Sequence, residues 1–119
     1  MLSVVARPKD TNSHGNIFGG WVMSHMDLAG AMAAIEYCGQ DIVTVHAETT
    51  FEKPIFVGDK VNLYTKIEHV GNTSVKIAID VWAMRRGRPI YDNVATGFYT
   101  FVAIDEDRKA VPINKAEGQ

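Results

Sequence analysis

The sequence has 119 residues, of which 46% are hydrophobic and 22% are charged, a composition typical of a globular domain. Twelve lysines and arginines face fourteen aspartates and glutamates, so the basic excess of a nucleic-acid-binding or anionic-membrane-binding protein is absent. A chain this short has little volume for a deep active site of its own. We therefore expect one domain over residues 1–119, with neither a nucleic-acid nor a membrane partner.

The N-terminal segment and the single cysteine indicate the compartment. Residues 1–9 lack the apolar core and the small-residue cleavage site of a signal peptide. Cys38 has no second cysteine with which to form a disulfide or a CxxC zinc motif. We therefore expect a cytoplasmic protein.

A short strand and one long helix are the first predicted elements. Leu2 to Arg7 is rich in β-branched residues and is followed by a polar loop over residues 9–16. Residues 17–37 contain no proline, and Gly39 follows them as a helix-ending glycine. Apolar residues surround the axis of this helix, so we expect it to be buried. A membrane span is the alternative, but Asp27 in the middle of the helix would be costly in lipid.

Four longer segments rich in β-branched and aromatic residues follow the helix. The Gly71-Asn72 pair predicts a tight hairpin between the second and third of them. Near alternation of apolar and polar residues between Val75 and Ala83 predicts a half-buried strand, with Trp82 on the apolar face. From about residue 105 the composition predicts a polar, loosely ordered tail. The four predicted strands cover residues 42–51, 60–70, 74–85 and 89–104.

One strand, one buried helix and then four antiparallel strands form an α+β pattern. In a chain of this length only the sheet can cover the helix, so we expect a sheet of about five strands that curls around it, as in a hotdog fold. Small residues on the helix would let the two backbones approach closely: Ala29, Gly30, Ala31, Ala33 and Ala34.

The segment PKDTNSHGNIFGGWVMSHMD, residues 8–27, strongly resembles the loop and helix start of bacterial acyl-CoA thioester hydrolases of the YciA type. The similarity continues through TVHAETTFEKP (44–54), VGD (57–59) and VGNTS (70–74). This resemblance implies a hotdog fold, hydrolysis of acyl-CoA thioesters, and assembly from homodimers, commonly as a hexamer that is a trimer of dimers. Coenzyme A is then part of the substrate, and the chemistry needs no metal or separate cofactor.

Thioester hydrolysis needs hydrogen-bond donors for the developing oxyanion. Gly19 and Gly20 lie at the predicted helix start, where backbone N–H groups lack intrahelical partners. We therefore predict that these amides form the oxyanion hole. The alternative is that both glycines serve only helix entry and packing.

Hydrolysis also needs a proton acceptor, and Glu48 is the predicted one. It lies within an apolar strand, where burial could raise its pKa toward neutral pH. The resemblance implies that this carboxylate lies across the dimer interface from the loop residue Asn16, as general base or, less simply, as nucleophile. An outward-facing glutamate that makes only cross-strand pairs is the alternative. Asp27 is expected to hydrogen-bond to backbone near the site or the interface.

Asn16 departs from several close relatives, which have an aspartate at the matching position. An amide cannot accept a proton at neutral pH, but it can orient the water or the thioester carbonyl. We predict that Asn16 and Glu48 together form a working site. An impairing replacement of Asp by Asn is the alternative, and it makes a non-catalytic acyl-CoA-binding module the second candidate function.

A hotdog dehydratase or hydratase is a third and weaker candidate function. It would use a histidine in a proline- and glycine-rich context that His14 lacks, so we interpret His14 as a loop residue near the substrate. No metal-ligand spacing recurs among the four histidines, and no metal site is predicted.

The phosphates of coenzyme A require donors and positive charge. The predicted hairpin offers backbone N–H and hydroxyl donors, and the resemblance implies that it lies near coenzyme A. Guanidinium groups at the end of the following strand suit phosphate recognition. A solvated turn is the alternative in both places. We predict substrate contacts from Gly71, Asn72, Thr73 and Ser74 and from Arg85, Arg86 and Arg88. We predict that the walls of the acyl pocket come from two chains and include Trp21, Met23 and Phe51.

Overall fold

The computed structural model describes residues 1–114. All the predicted elements are present, and their ends differ from the predicted ones by no more than two residues. Following a short 3-10 turn at Pro8–Asp10, one long helix precedes four long strands. The elements are β1 (Leu2–Val5), α1 (Gly19–Cys38), β2 (Ile42–Phe51), β3 (Lys60–Val70), β4 (Ser74–Met84) and β5 (Tyr91–Ala103).

The five strands form one antiparallel sheet in the order β1-β3-β4-β5-β2. β3 and β4 are joined by the predicted hairpin at Gly71-Asn72, with Val70 paired to Val75. β2 does not pair with β3, its neighbour in sequence, but with β5 at the far side of the sheet. β1 and β2 are therefore the two edge strands.

β4 alternates strictly between buried and outward-facing side chains. The prediction for Trp82 is wrong, because Ala83 takes the buried position and Trp82 lies on the outer face with 37% of its surface exposed. The inward set packs beneath α1 and forms the centre of the core: Val75, Ile77, Ile79, Val81 and Ala83.

Close packing of α1 on the sheet depends on its small residues, as predicted. A Cβ atom on Gly30 would lie 3.0 Å from the Phe101 ring and 3.1 Å from Ile79 Cδ1, and Ala29 and Ala34 are buried. The helix ends at Gly39, whose φ of 69° is the left-handed conformation that glycine adopts without strain.

Complete burial of α1 was predicted, and this prediction is wrong for one flank of the helix. Leu28, Met32 and Ile35 are each about half exposed. They follow one another at helical spacing, so they form one apolar stripe. The sheet covers α1 from one side only, and residues 1–114 leave this stripe uncovered.

The segment after β5 is more ordered than its composition predicts. Ile113 is buried, and its N–H donates to the carbonyl oxygen of Asn72 at 2.8 Å. A turn over residues 105–109 returns the chain so that Ile104 and Ala110 form an isolated bridge. The predicted tail thus packs at the hairpin end of the sheet as far as residue 114, and the rest of it lies outside the described residues.

Among residues 1–114, no helix is both long enough and apolar enough to cross a membrane.

Candidate functional site

A cleft of about 340 Å³ opens at the N-terminal end of α1. It lies between the loop that precedes the helix, the start of β5 and the segment that follows β2. Its lining combines apolar side chains with amide and charged ones, so the cleft can hold an apolar chain beside a polar group. Its lining residues are Asn12, Asn16, Ile17, Gly19, Val22, Phe51, Glu52, Lys53, Pro54, Ile55, Val94 and Ala95.

Asn12 organises the loop that carries Asn16. Its side-chain oxygen accepts hydrogen bonds from the backbone N–H groups of His14 at 2.9 Å and Asn16 at 3.1 Å. The backbone N–H of Asn12 donates to the carbonyl oxygen of Asn16 at 2.6 Å. Asn12 therefore fixes the position of Asn16 at the cleft, whereas His14 is exposed. Asn12 was not predicted, although an asparagine two residues before a turn is a recognisable signal for this type of loop.

The start of α1 supplies the backbone donors that the oxyanion prediction requires. Phe18 caps the helix without a side-chain hydrogen bond. Within the described part of the chain, the N–H groups of Gly19 and Gly20 have no acceptor. A Cβ atom on Gly19 would lie 3.3 Å from the Phe51 ring, whereas nothing lies within 4 Å of one on Gly20. Gly19 lines the cleft, and Gly20 follows it on the exposed first turn.

Glu48 is not buried by its own chain, contrary to the prediction. Its side chain is 57% exposed, and Oε2 lies 4.0 Å from His46 Nε2. It lines a separate shallow depression with Thr49, Thr96 and neighbouring residues. Glu48 precedes Phe51 by three residues, about 10 Å along β2. Glu48 is exposed on an edge strand, and it is not among the residues that line the cleft with Asn16.

Asp27 is a second carboxylate near β2. Its Oδ1 accepts a hydrogen bond of 2.6 Å from Thr44 Oγ1, so its partner is a side chain and not the predicted backbone group. Asp27 is half-buried between α1 and the edge strand. Within one chain, the carboxylate that lines the cleft is Glu52, which is exposed.

Of the three predicted acyl-pocket residues, Phe51 alone lines the cleft of its own chain. The Trp21 ring contacts the His25 ring at a tilt of 45°, with centroids 4.4 Å apart, and Trp21 lines a different depression near Arg7 and Asp10. The backbone carbonyl of Met23 accepts a hydrogen bond from the buried Tyr99 hydroxyl at 3.4 Å.

The two predicted phosphate sites lie at opposite ends of β4. The hairpin over residues 71–74 precedes the strand, and the arginines follow it. Eleven residues of strand separate them by about 30 Å. The hairpin is also packed against the segment after β5, because the carbonyl oxygen of Asn72 accepts from Ile113 N–H. One chain therefore cannot bring both groups to the same phosphate.

Arg85 is a structural residue, which contradicts its predicted role in phosphate binding. Its side chain is only 14% exposed. Nη1 donates to Asp59 Oδ2 at 2.6 Å and to the carbonyl of Pro54 at 3.0 Å, and Nε donates to Asp92 Oδ2 at 3.0 Å. Lys53 Nζ adds a second cation 3.2 Å from Asp92. These donors of Arg85 are directed at groups of the protein, whereas Arg86 and Arg88 are exposed.

The hydrogen bonds from Lys53 and Arg85 hold the pKa of Asp92 below its ordinary value. Burial raises the pKa of Tyr99 above its ordinary value. Among residues 1–114, no three His, Cys, Asp or Glu side chains are grouped so that they could hold a metal ion.

This chain is similar to known proteins both in amino-acid sequence and in fold. The family model described as the thioesterase superfamily matches residues 14–90. Acyl-CoA thioester hydrolase YciA of Escherichia coli is 40% identical over 119 residues, which cover 95% of this chain and 90% of that protein. The hexameric hotdog fold thioesterase of Campylobacter jejuni superposes with a TM-score of 0.88 at 41% identity, over 94% of this chain and 87% of that one.

A more distant solved structure carries ligands. Acyl-CoA hydrolase from Staphylococcus aureus, in complex with butyryl coenzyme A and coenzyme A, superposes with a TM-score of 0.88 at 27% identity, over 96% of this chain and 70% of that one. The same hydrolase has been solved with an asparagine and with an aspartate replaced by alanine. The predicted hotdog fold is confirmed, and the chain belongs to the thioesterase superfamily, within the YciA-type acyl-CoA thioester hydrolases.

Proposed function

We propose that this protein hydrolyses acyl-CoA thioesters in the cleft at the start of α1, releasing a carboxylic acid and free coenzyme A. The observation that carries the proposal is the cleft itself, where helix N–H groups without acceptors meet an apolar wall. Its YciA relative in Escherichia coli is an acyl-CoA thioester hydrolase, which supports the same reaction here.

The cleft suggests how the thioester lies. The acyl chain packs on Val22, Phe51 and Val94, and the thioester carbonyl points to the N–H groups of Gly19 and Gly20. A water oxygen attacks the carbonyl carbon, and the charge that develops on the carbonyl oxygen is stabilised by these amides. Asn16 orients the water or the carbonyl through its amide. The C–S bond then breaks, and the coenzyme A thiolate leaves and takes up a proton.

The attacking water must lose a proton to a carboxylate, because the Asn16 amide cannot accept one. Glu48 of a neighbouring subunit is the proposed acceptor, and its outward position on an edge strand supports a role across an interface. Asp27 is the competing carboxylate. It lies near the same edge, and an asparagine and an aspartate are the residue types replaced in the Staphylococcus aureus variants.

The site is proposed to be completed by a second subunit, with a homodimer as the minimal active unit. Two observations support this assembly. The outer edge of β2 is unpaired within the described chain and exposes Val45 and Phe51 by 56% and 50%, and α1 carries an uncovered apolar stripe. Further association into a trimer of dimers would match the hexameric Campylobacter jejuni thioesterase. We also propose a cytoplasmic location and no cofactor apart from the coenzyme A of the substrate.

Thiol release from a panel of acyl-CoAs, followed with a thiol-reactive dye, tests the reaction and the base together. We expect turnover by the wild type and a fall in kcat of about 100-fold or more for Glu48→Gln, since general bases contribute on this scale. Asp27→Asn is the matched variant and should keep most of the activity. The opposite pattern would assign the base to Asp27.

Two further outcomes bear on Asn16. Coenzyme A binding without thiol release from short, medium and long acyl chains would replace the enzyme by a non-catalytic acyl-CoA-binding module. Asn16→Asp is expected to lower kcat, because the cleft would gain a charge in place of an amide donor. A large gain in rate would instead show that Asn16 is an impairing replacement.

A further inference from the structure

We propose that Arg86 and Arg88 bind the phosphates of the coenzyme A nucleotide in the same chain whose cleft holds the acyl group. This inference rests on the proposed function and adds where the phosphates of the substrate bind. It assigns the nucleotide to the β4–β5 turn and excludes Arg85 and the chain's own 71–74 hairpin from that role.

The β4–β5 turn borders a second groove of about 450 Å³. Phe56 and Ile90 contribute exposed apolar surface, 45% and 42% exposed respectively. Arg86 and Arg88 provide exposed guanidinium groups beside that surface. The Arg85 guanidinium lies over the Phe56 ring, 5.3 Å from its centroid. The remaining exposed surface of Phe56 and Ile90 is suited to a base whose phosphates pair with Arg86 and Arg88. The groove is lined by Phe56, Val57, Asp59, Arg85, Arg86, Arg88, Ile90 and Asp92.

Some of the cations around this groove pair with carboxylates of the protein, and the others remain for a ligand. Arg85 and Lys53 neutralise the two carboxylates, Asp59 and Asp92. The positive charge of Arg86 and Arg88 remains, in a chain whose overall charge is −2. A phosphate approaching this surface therefore meets a local positive field although the whole protein is slightly acidic.

The fold holds Arg86 at the groove through a glycine. Gly58 has φ of +91°, and a Cβ atom there would lie 2.6 Å from Arg86 Cδ. The stem of Arg86 therefore packs directly on the Gly58 backbone. On the other side, the N–H of Arg88 donates to the carbonyl oxygen of Arg85 at 3.2 Å, which closes the turn.

One segment connects the groove to the catalytic cleft. Lys53, Pro54 and Ile55 line the cleft, and the next two residues, Phe56 and Val57, line the groove. Five residues span at most about 17 Å. A single ligand can therefore place an apolar chain in the cleft and phosphates at the turn. The hairpin, about 30 Å away along β4, cannot contact the same phosphates within one chain.

Steady-state kinetics with two substrates tests this assignment. The variant carries Arg86→Gln and Arg88→Gln, and the substrates are hexanoyl-CoA and the hexanoyl thioester of N-acetylcysteamine, which has no phosphates. We expect KM for hexanoyl-CoA to rise roughly tenfold or more, because hydrogen bonds to charged groups are lost. The kcat for hexanoyl-CoA and both constants for the short thioester should not change. Lys66→Gln, which removes an exposed cation on β3, is the control.

An unchanged KM for hexanoyl-CoA, or an equal change for both substrates, would overturn the assignment. Calorimetric titration with coenzyme A and with dephospho-coenzyme A tests it without any turnover. The wild type should bind both ligands more tightly than the double variant, and equal affinities would overturn the proposal. Tight coenzyme A binding through these arginines without thioester hydrolysis would refute the proposed function and leave this inference standing. Circular dichroism of the variant checks that it is folded.

Discussion

At the scale of single residues, neighbours decide what a charged side chain does. Arg85, Arg86 and Arg88 are equivalent in sequence, since all three are arginines in one turn. Arg85 lies against Asp59 and Asp92 and joins β4 to the segments before β3 and at the start of β5. The exposed pair has no such carboxylates and is available to a ligand. A long-range contact therefore separates a structural arginine from the two arginines that are proposed to bind phosphate.

Asp92 predicts a pH-dependent contribution to stability. Its pKa is lowered in the folded chain by hydrogen bonds from Lys53 and Arg85. The ionised carboxylate therefore stabilises the fold above its unfolded pKa, and this stabilisation is lost as pH falls through the folded pKa. We expect Asp92→Asn to unfold at a lower urea concentration than the wild type at neutral pH. In acid, the urea midpoints of the two proteins should become equal. Urea denaturation over a pH series measures it.

Asp41→Asn is the control for this prediction. Asp41 is exposed, and its side chain makes no hydrogen bond within residues 1–114. A deficit of Asp92→Asn that stayed constant over the whole pH range would show that the carboxylate acts through packing and not through its charge.

At the scale of elements, close approach of backbones sets the geometry of β2 and β5. A Cβ atom on Gly97 would collide with the carbonyl oxygen of Glu48 and would lie 2.9 Å from the Met26 methyl group. Gly97 thus allows β5 to lie tightly against both β2 and α1. The position of the Glu48 backbone beside β5 depends on this contact.

Gly97→Ala should therefore destabilise the protein by about 1–3 kcal/mol, the usual range for overpacking in a core. Thermal or urea denaturation measures the change. Gly20→Ala is the matched control, because nothing lies within 4 Å of the added methyl group, and its stability should equal or slightly exceed that of the wild type. Equal stability of the two variants would contradict the close packing at Gly97.

At the scale of the whole molecule, the sheet has two edges with different consequences. β1 and β2 are both edge strands, and each exposes a valine by 56%, Val5 and Val45. Only β2 also carries Glu48 and lies beside Asp27. The proposed dimer therefore joins β2 edges and leaves β1 free.

Paired substitutions at the two edges test this choice. Val45→Lys should shift the protein toward monomers in light scattering and abolish thiol release, because like charges repel across a β2–β2 interface. Val5→Lys makes the same change on β1 and should alter neither oligomeric state nor activity. A folded Val45→Lys monomer with wild-type turnover would contradict a site shared between subunits.

The elements and the family were determined by the sequence alone, because their signals are local. The proline-free apolar run of the helix, the alternation along the strands, Gly39 and the Gly71-Asn72 turn each depend on residues close together in the chain. The family motif likewise lies in continuous segments. Hence the strands, the α+β class and the cleft residues Asn16 and Gly19 follow from the order of residues.

Only the tertiary structure decided which of these residues meet. Pairing of β2 with β5 puts Glu48 on an outer edge away from Asn16, and the folding of β4 separates the hairpin from the arginines. The burial of Arg85 and the exposure of the apolar stripe on α1 also depend on how the elements pack. Each depends on contacts between residues distant in sequence, which composition and periodicity do not specify. The short chain consequently becomes an enzyme whose site is proposed to need a second subunit.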